Sequence, residues 1–191
     1  MGLAPWRVPL ARALHRNRAL VYSRYAQLAT VDAQGRPHNR TLVFRGFCRD
    51  TDTLAFVTDR RSEKVQQIDH QPWGELCWYF PQTREQFRLA GVLELVDSHH
   101  RDPLAQAERR ERWQTLSTAS RQQFLWPHPG QPRTGDWRVE DAVPAEPPAH
   151  FCVLWLHPQQ VDHLELRGQP QNRYRYWRTP SGEWAMVEVN P

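Results

Sequence analysis

The chain has 191 residues, 39% hydrophobic and 24% charged, with 25 Lys and Arg against 21 Asp and Glu for a net charge of +4. That length favours one domain with a sizeable core, and that composition excludes an intrinsically disordered chain. The cationic excess is too diffuse to demand nucleic acid and suits an anionic small ligand equally well, and the apolar runs are too short to span a bilayer as helices.

In chain order, Pro9 to Val21 reads as a short amphipathic helix carrying Leu10, Leu14 and Val21 on one stripe. Tyr25 to Val31 alternates as a strand, Asp32 to Gly35 is a hairpin turn, and Pro37 to Phe47 is the returning strand. Thr53 to Thr58 is a further strand, followed by a helix from about Ser62 to His70 with Ser62 as its N-cap. Glu75 to Phe80 and Glu85 to Val96 form a second strand pair around Pro81, Gln82 and Thr83. Asp102 to Phe124 is polar and helical, read as two helices with Asp102 as cap and Pro103 at the first position. Trp126 to Pro148 is Pro-rich and reads as an ordered surface loop. Strands follow at Phe151 to His157, Val161 to Leu166, Arg173 to Arg178 and Glu183 to Val189, the last pair turned by Pro180, Ser181 and Gly182. This spacing of turn-punctuated strands predicts a mainly β, α+β domain: an antiparallel barrel with flanking helices. One domain over 1–191 is expected, with a core barrel at about 20–100, a helical insert at about 101–125 and C-terminal strands at about 150–190.

Two strand ends carry the chemistry. One bears Arg40, Thr41 and Arg45, the other Thr58, Arg60, Arg61, Ser62 and Lys64 at a helix start. Guanidinium forks, an ammonium and hydroxyls on adjacent strands suit a doubly charged phosphate. Arg40 and Arg45 are five apart, so on a regular pleat they point to opposite faces and share a ligand only at an edge or a bulge. Arg60 and Arg61 oppose the dipole of the helix they precede, a conflict that a bound anion relieves. Gln86 offers a donor and an acceptor to a heterocycle edge. His99 and His100 are adjacent and lack an evident carboxylate constellation, so solvent or structural roles are expected and no metal. The run from Arg173 to Arg178 interleaves cations and aromatics, which nucleic-acid binding or inward-packed barrel aromatics explain, with packing preferred and Arg173 left as a ligand candidate. Cys48, Cys77 and Cys152 form no disulfide framework, and the N-terminus has no signal-type apolar segment, so a soluble cytoplasmic protein is expected.

Together these residues resemble the pyridoxamine 5'-phosphate oxidase family of FMN-binding split barrels, in its oxidase-related branch. The resemblance rests on Arg40-Thr-Leu-Val-Phe-Arg45, Val57-Thr58, Ser62-Glu63-Lys64, Gln86 within REQFRLAG, and Arg173-Tyr174. It implies FMN as cofactor, with contacts from Arg40, Thr41, Leu42, Val43, Arg45, Val57, Thr58, Arg61, Ser62, Lys64, Gln86 and Arg173. It also implies a homodimer with the flavin at the subunit interface. Departures stand beside it. Glu63 replaces a phosphate-binding Arg, for which Arg60 or Arg61 is a substitute. Leu164 stands where the oxidase has a flavin-contacting Trp, and Gln169-Pro170-Gln171 replaces its substrate-binding Arg-Leu-His. A flavin-dependent oxidoreductase with an altered substrate site is the first reading. A non-catalytic flavin- or haem-binding barrel is the second, and a nucleic-acid-binding barrel the third. FMN is expected over FAD, because no dinucleotide fingerprint is present.

Overall fold

The computed structural model describes residues 2–49, 51–133, 135 and 142–191. Helix α1 spans Arg7–Arg16 and buries Leu10 and Ala13. It stops earlier than its apolar stripe suggests, because the buried Asn17 turns its amide back onto the Ala13 carbonyl at 2.9 Å and accepts from the Gln82 N–H. A 3-10 turn at Val21–Arg24 then leads into β1 (Tyr25–Val31). Strand β2 (Pro37–Val43) returns antiparallel, in register from Tyr25 opposite Val43 to Val31 opposite Pro37. Between them Gly35 takes φ +77°, and Asp32 Oδ1 accepts from the Gln34 and Arg36 N–H groups.

The single strand expected from Pro37 to Phe47 is broken. After Val43 the chain leaves β1, and β3 (Gly46–Phe47) pairs instead with β4 (Leu54–Asp59). The step is fixed by two backbone bonds, Phe44 N–H to the Arg24 carbonyl and Arg45 N–H to the Ala55 carbonyl. One segment thus borders both β1 and β4, which draws the two ends of the sheet together.

Helix α2 (Glu63–His70), β5 (Trp73–Phe80) and β6 (Glu85–Val96) follow. Helices α3 (Pro103–Thr115) and α4 (Thr118–Gln122) come next, and Asp102 caps α3 through the Leu104 N–H. Ser62 occupies the N-cap position of α2 but makes no capping bond; its hydroxyl donates to the Asp59 carbonyl. Strand β7 (Phe151–Glu165) is continuous where two strands were expected. Pro158 marks the difference: it sits at a register shift, where Gly91 faces Pro158 and Ala90 faces Gln160, so Gln159 is the extra residue of a bulge. A Cβ on Gly91 would lie 2.1 Å from the His157 carbonyl oxygen, so only glycine lets the strands approach here. Strands β8 (Asn172–Arg178) and β9 (Trp184–Val189) complete the sheet.

The order is β2-β1-β5-β6-β7-β4-β3, with β8 and β9 branching from β7. The first half of β7 pairs with β4, its second half with β8, and β6 runs along its other edge. This shared long strand splits the barrel. The main core joins Trp6, Leu10, Phe44, Phe56, Trp78 and Phe87. A smaller core lies where α3 covers β4 and β7, around Ala105, Trp113, Phe151 and Val153. All three cysteines are free, and burial pushes the Cys152 thiol up to about 12. Among the described residues, no helix is long and apolar enough to cross a membrane.

Candidate cofactor site

The paired register puts Arg40 in one row with Leu28, Leu76, Leu89 and Val161, the inward row of the sheet. At the β2 edge this row runs out beneath α2, and the guanidinium is held there. Arg40 Nη1 donates to Thr30 Oγ1 at 2.5 Å and to the His38 and Leu28 carbonyls, and Nη2 donates to Gln67 Oε1 at 2.8 Å. Thr30 and Gln67 are themselves buried and bonded at 2.6 Å. Among the described residues, Arg40 Nε–H has no hydrogen-bonded partner, so the Nε side of the fork stays open to a ligand.

Lys64 lies in the first turn of α2. Its Nζ donates to Thr58 Oγ1 at 3.0 Å and to Ser62 Oγ at 2.8 Å, which leaves one of three protons unassigned. Burial pulls the Lys64 ammonium down to about 8, and the neighbouring Arg40 charge pulls the same way. Burial lowers Arg40 as well, and Glu63, exposed to solvent, compensates it only in part. Asp59 and Glu63 offset the lowering of Lys64 only in part, so the two desolvated cations form an arrangement that a phosphate dianion would compensate.

Arg60 and Arg61, the expected substitutes for the missing cation, are each paired with carboxylates of the chain, and Arg61 borders the same cavity as Ser62 and Lys64. Arg60 pairs with Asp69 and Asp97, and Arg61 chelates Asp59 through Nε and Nη2 at 2.7–3.2 Å. Their conflict with the helix dipole is relieved by carboxylates of the chain itself rather than by a bound anion.

A second group sits elsewhere. Gln86 on β6 faces Leu164 on β7, which faces Arg173 on β8, so all three side chains share the outward face. Arg173 chelates Asp162 at 2.8–3.2 Å, which raises its already high affinity for the proton, and Arg88 Nη2 reaches the same carboxylate at 3.1 Å. Of the other expected contacts, Thr41 and Val43 lie on the outward face of β2. Leu42 is 8% exposed and belongs to the core, so only its backbone can serve a ligand. Val57 packs on the smaller core. Arg45 lies beyond the end of β2, half-buried, and both burial and the Arg24 charge lower it.

Sequence reasoning missed the acceptors that orient these cations: Thr30, Gln67, Asp59 and Asp162. It also missed two polar clusters. His100 is met by a carboxylate after all, Glu94 at 3.0 Å, which also accepts from His157 at 2.8 Å. Among the described residues, Glu85, His163 and Glu165 bring ligand-type atoms within 4.8 Å, behind the Gln86–Leu164 row.

Residues 3–97 match the family model described as pyridoxamine 5'-phosphate oxidase, FMN-binding domain. A pyridoxine/pyridoxamine 5'-phosphate oxidase 2 of Arabidopsis thaliana is 37% identical over 99% of this chain and 98% of its own. The chain belongs to the pyridoxamine 5'-phosphate oxidase family. The crystal structure of a pyridoxamine 5'-phosphate oxidase-related, FMN binding protein from Nostoc punctiforme is 56% identical, with a TM-score of 0.93 over 100% of both chains. FMN is therefore the cofactor of this family member, and its split barrel is the family's fold. PhzG from Burkholderia lata shares the fold at a TM-score of 0.77 and 18% identity, covering 96% of this chain and 91% of that one. The oxidase family is one of oxidoreductases, and the Arg40–Lys64 pair, with the open Arg40 Nε–H and the spare Lys64 proton, has the donors and charge that a terminal phosphate would take.

Proposed function

We propose that the protein is an FMN-dependent oxidoreductase working as a homodimer, each flavin held by residues of both subunits, with a substrate site unlike that of a vitamin B6 phosphate oxidase. One observation carries this reading. The phosphate-type group (Arg40, Lys64, Thr58, Ser62) gathers at the inward row and the α2 start, whereas Gln86, Leu164 and Arg173 face outward from the same sheet. One flavin cannot lie against both faces of one sheet, but two chains related by a two-fold axis can offer one group each.

FMN supplies the redox chemistry when bound. The chain supplies the holding and the orientation. Arg40 and Lys64 grip the phosphate, with the fork of Arg40 fixed by Thr30 and Gln67 and the ammonium aimed by Thr58 and Ser62. Gln86 meets the polar edge of the heterocycle, Leu164 gives an aliphatic wall, and Asp162 fixes the direction of Arg173. Val57, Thr41 and the backbone of Leu42 and Val43 line the approach, and Arg45 faces the substrate side. Arg61, held by Asp59, borders the same cavity as Ser62 and Lys64 and stays in the phosphate set.

The substrate reading follows from charge. Gln169 and Gln171 stand where the oxidase has Arg and His, and a neutral contact to a phosphate is roughly half as strong as a charge-assisted one. The test is FMN-loaded protein given pyridoxamine 5'-phosphate, reading hydrogen peroxide and pyridoxal phosphate. Turnover well below about 1 per second is expected, and an ordinary enzymatic rate of that order or more would refute the altered site. Screening the reduced and oxidised forms against nicotinamide cofactors addresses the electron donor. A yellow protein inert to every donor would return the non-catalytic reading.

A further inference from the structure

A hydroxyl, an imidazole and a carboxylate line up at the end of β4 opposite to Thr58. Thr53 precedes β4, His157 lies on β7 and Glu94 on β6. Thr53 Oγ1 lies 3.0 Å from His157 Nδ1, and His157 Nε2 lies 2.8 Å from Glu94 Oε2. A carboxylate only accepts, so Nε2 carries the ring proton, and Nδ1 of the neutral ring accepts from the Thr53 hydroxyl. Burial works against the Glu94 charge, but hydrogen bonds from His100 and His157 outweigh it and hold its carboxyl below the ordinary range. His100 Nε2 donates to the other Glu94 oxygen at 3.0 Å, which keeps the carboxylate facing His157. Thr53 is fixed from its own side as well: its N–H donates to Thr51 Oγ1, and the Thr51 hydroxyl donates to the Cys48 carbonyl.

Thr53 and His157 both line a cavity of about 210 Å³, walled otherwise by Cys48, Leu104, Ala105 and Trp155. Arg49 lies at the same cavity, and among the described residues its guanidinium has no partner. Burial and the neighbouring Glu108 push the Cys48 thiol up, so it stays protonated and leaves Thr53 as the activated group. None of these residues belongs to the flavin set.

We propose that this constellation is a second, flavin-independent catalytic site that hydrolyses small neutral carboxylic esters, with Thr53 as nucleophile, His157 as general base and Glu94 as positioning residue. Thr53 Oγ1 bonds to the ester carbonyl carbon while its proton passes to His157 Nδ1. The carbon–oxygen bond to the alcohol then breaks, and the same proton passes to the leaving oxygen. Water repeats both transfers on the acyl-threonine, releasing the acid and restoring the hydroxyl. Glu94 holds the ring in the tautomer that the first transfer needs. The Arg49 guanidinium is the donor within the cavity for the charge that develops on the carbonyl oxygen. The walls and volume suit a short apolar acyl group, and Asp102 and Glu108 at the same cavity disfavour an anionic substrate.

The test gives p-nitrophenyl acetate to the FMN-loaded wild-type protein, Thr53→Val, Thr53→Ser, His157→Asn and Glu94→Gln, following nitrophenolate release, with mass spectrometry locating the acetyl group. The visible spectrum of bound FMN reports that each barrel is intact. Thr53→Val keeps the shape and removes only the hydroxyl, so it and His157→Asn should each lose about a hundredfold or more in kcat/KM. Thr53→Ser should stay within about tenfold of the wild type. Glu94→Gln should lower kcat about tenfold with KM held within about twofold, a split that a merely structural role would not give. Acetyl trapped on Thr53 supports the proposal. Equal rates from the wild type and Thr53→Val, whether fast or absent, overturn it, as does acetyl found only at other residues.

Discussion

Lys64 sits in surroundings that disfavour its own charge: burial and Arg40 together bring its ammonium to about 8. Phosphate binding reverses that balance, and two predictions follow at this scale. Lys64→Ala and Arg40→Ala should each weaken FMN by about 1.5–3 kcal/mol, the range for hydrogen bonds to charged groups, with little loss of melting temperature for Lys64→Ala and a clear loss for Arg40→Ala, which strips donors from Thr30, Gln67 and two carbonyls. Flavin fluorescence titration checks this, and a variant with wild-type affinity removes its residue from the phosphate site. The second prediction concerns pH. Below about 8 Lys64 is already protonated before FMN arrives; above it, binding must also take up a proton, so affinity falls as pH rises through 8. A phosphate monoester takes its own proton near pH 6, so affinity also falls below about 6. The optimum lies between, and Lys64→Arg should flatten only the alkaline limb. Affinity constant from pH 7 to 10 would contradict the depressed lysine. The cations themselves were legible as residues: Arg40, Ser62 and Lys64 stand at strand and helix ends where polar side chains are unusual. Their acceptors were not, because Gln67 and Thr30 lie on α2 and β1, and Asp59 reads locally as an ordinary turn residue.

Among the elements, β7 decides the architecture. It feeds the barrel through β4 and carries the β8–β9 arm through its second half. Sequence periodicity ends one strand before Pro158, because proline cannot donate to a ladder. The structure keeps one strand, placing the proline at a bulge opposite Gly91. Gly91→Ala drives a Cβ to within 2.1 Å of a backbone oxygen, a contact no side-chain rotation relieves. It should cost about 1–3 kcal/mol of stability or more, as overpacking does. Chemical denaturation of the variant checks this, and an unchanged midpoint would mean the bulge moves freely. The break after Val43 was equally hidden. Residues 37 to 47 alternate well enough for one strand, and only the competition of β4 for the Arg45 and Gly46 backbone diverts it. Strands β1 and β6, by contrast, were legible to the residue, because a turn signal and clean alternation bound each of them.

For the whole molecule, the two groups of candidate ligands face away from each other. The sequence gives their types and order, and family resemblance groups them at one flavin; only the register of paired strands assigns them to opposite faces. The proposed homodimer would join them, each site then needing Lys64 from one subunit and Arg173 from the other. Complementation tests this most directly. Lys64→Ala and Arg173→Ala homodimers should each bind FMN weakly. Unfolding and refolding the two together forms mixed dimers in which one site carries both substitutions and the other carries none. Tight FMN sites with wild-type affinity should reappear in the mixture, in proportion to the mixed dimers formed. A mixture that binds no more tightly than its two components would show that each chain builds its flavin site alone.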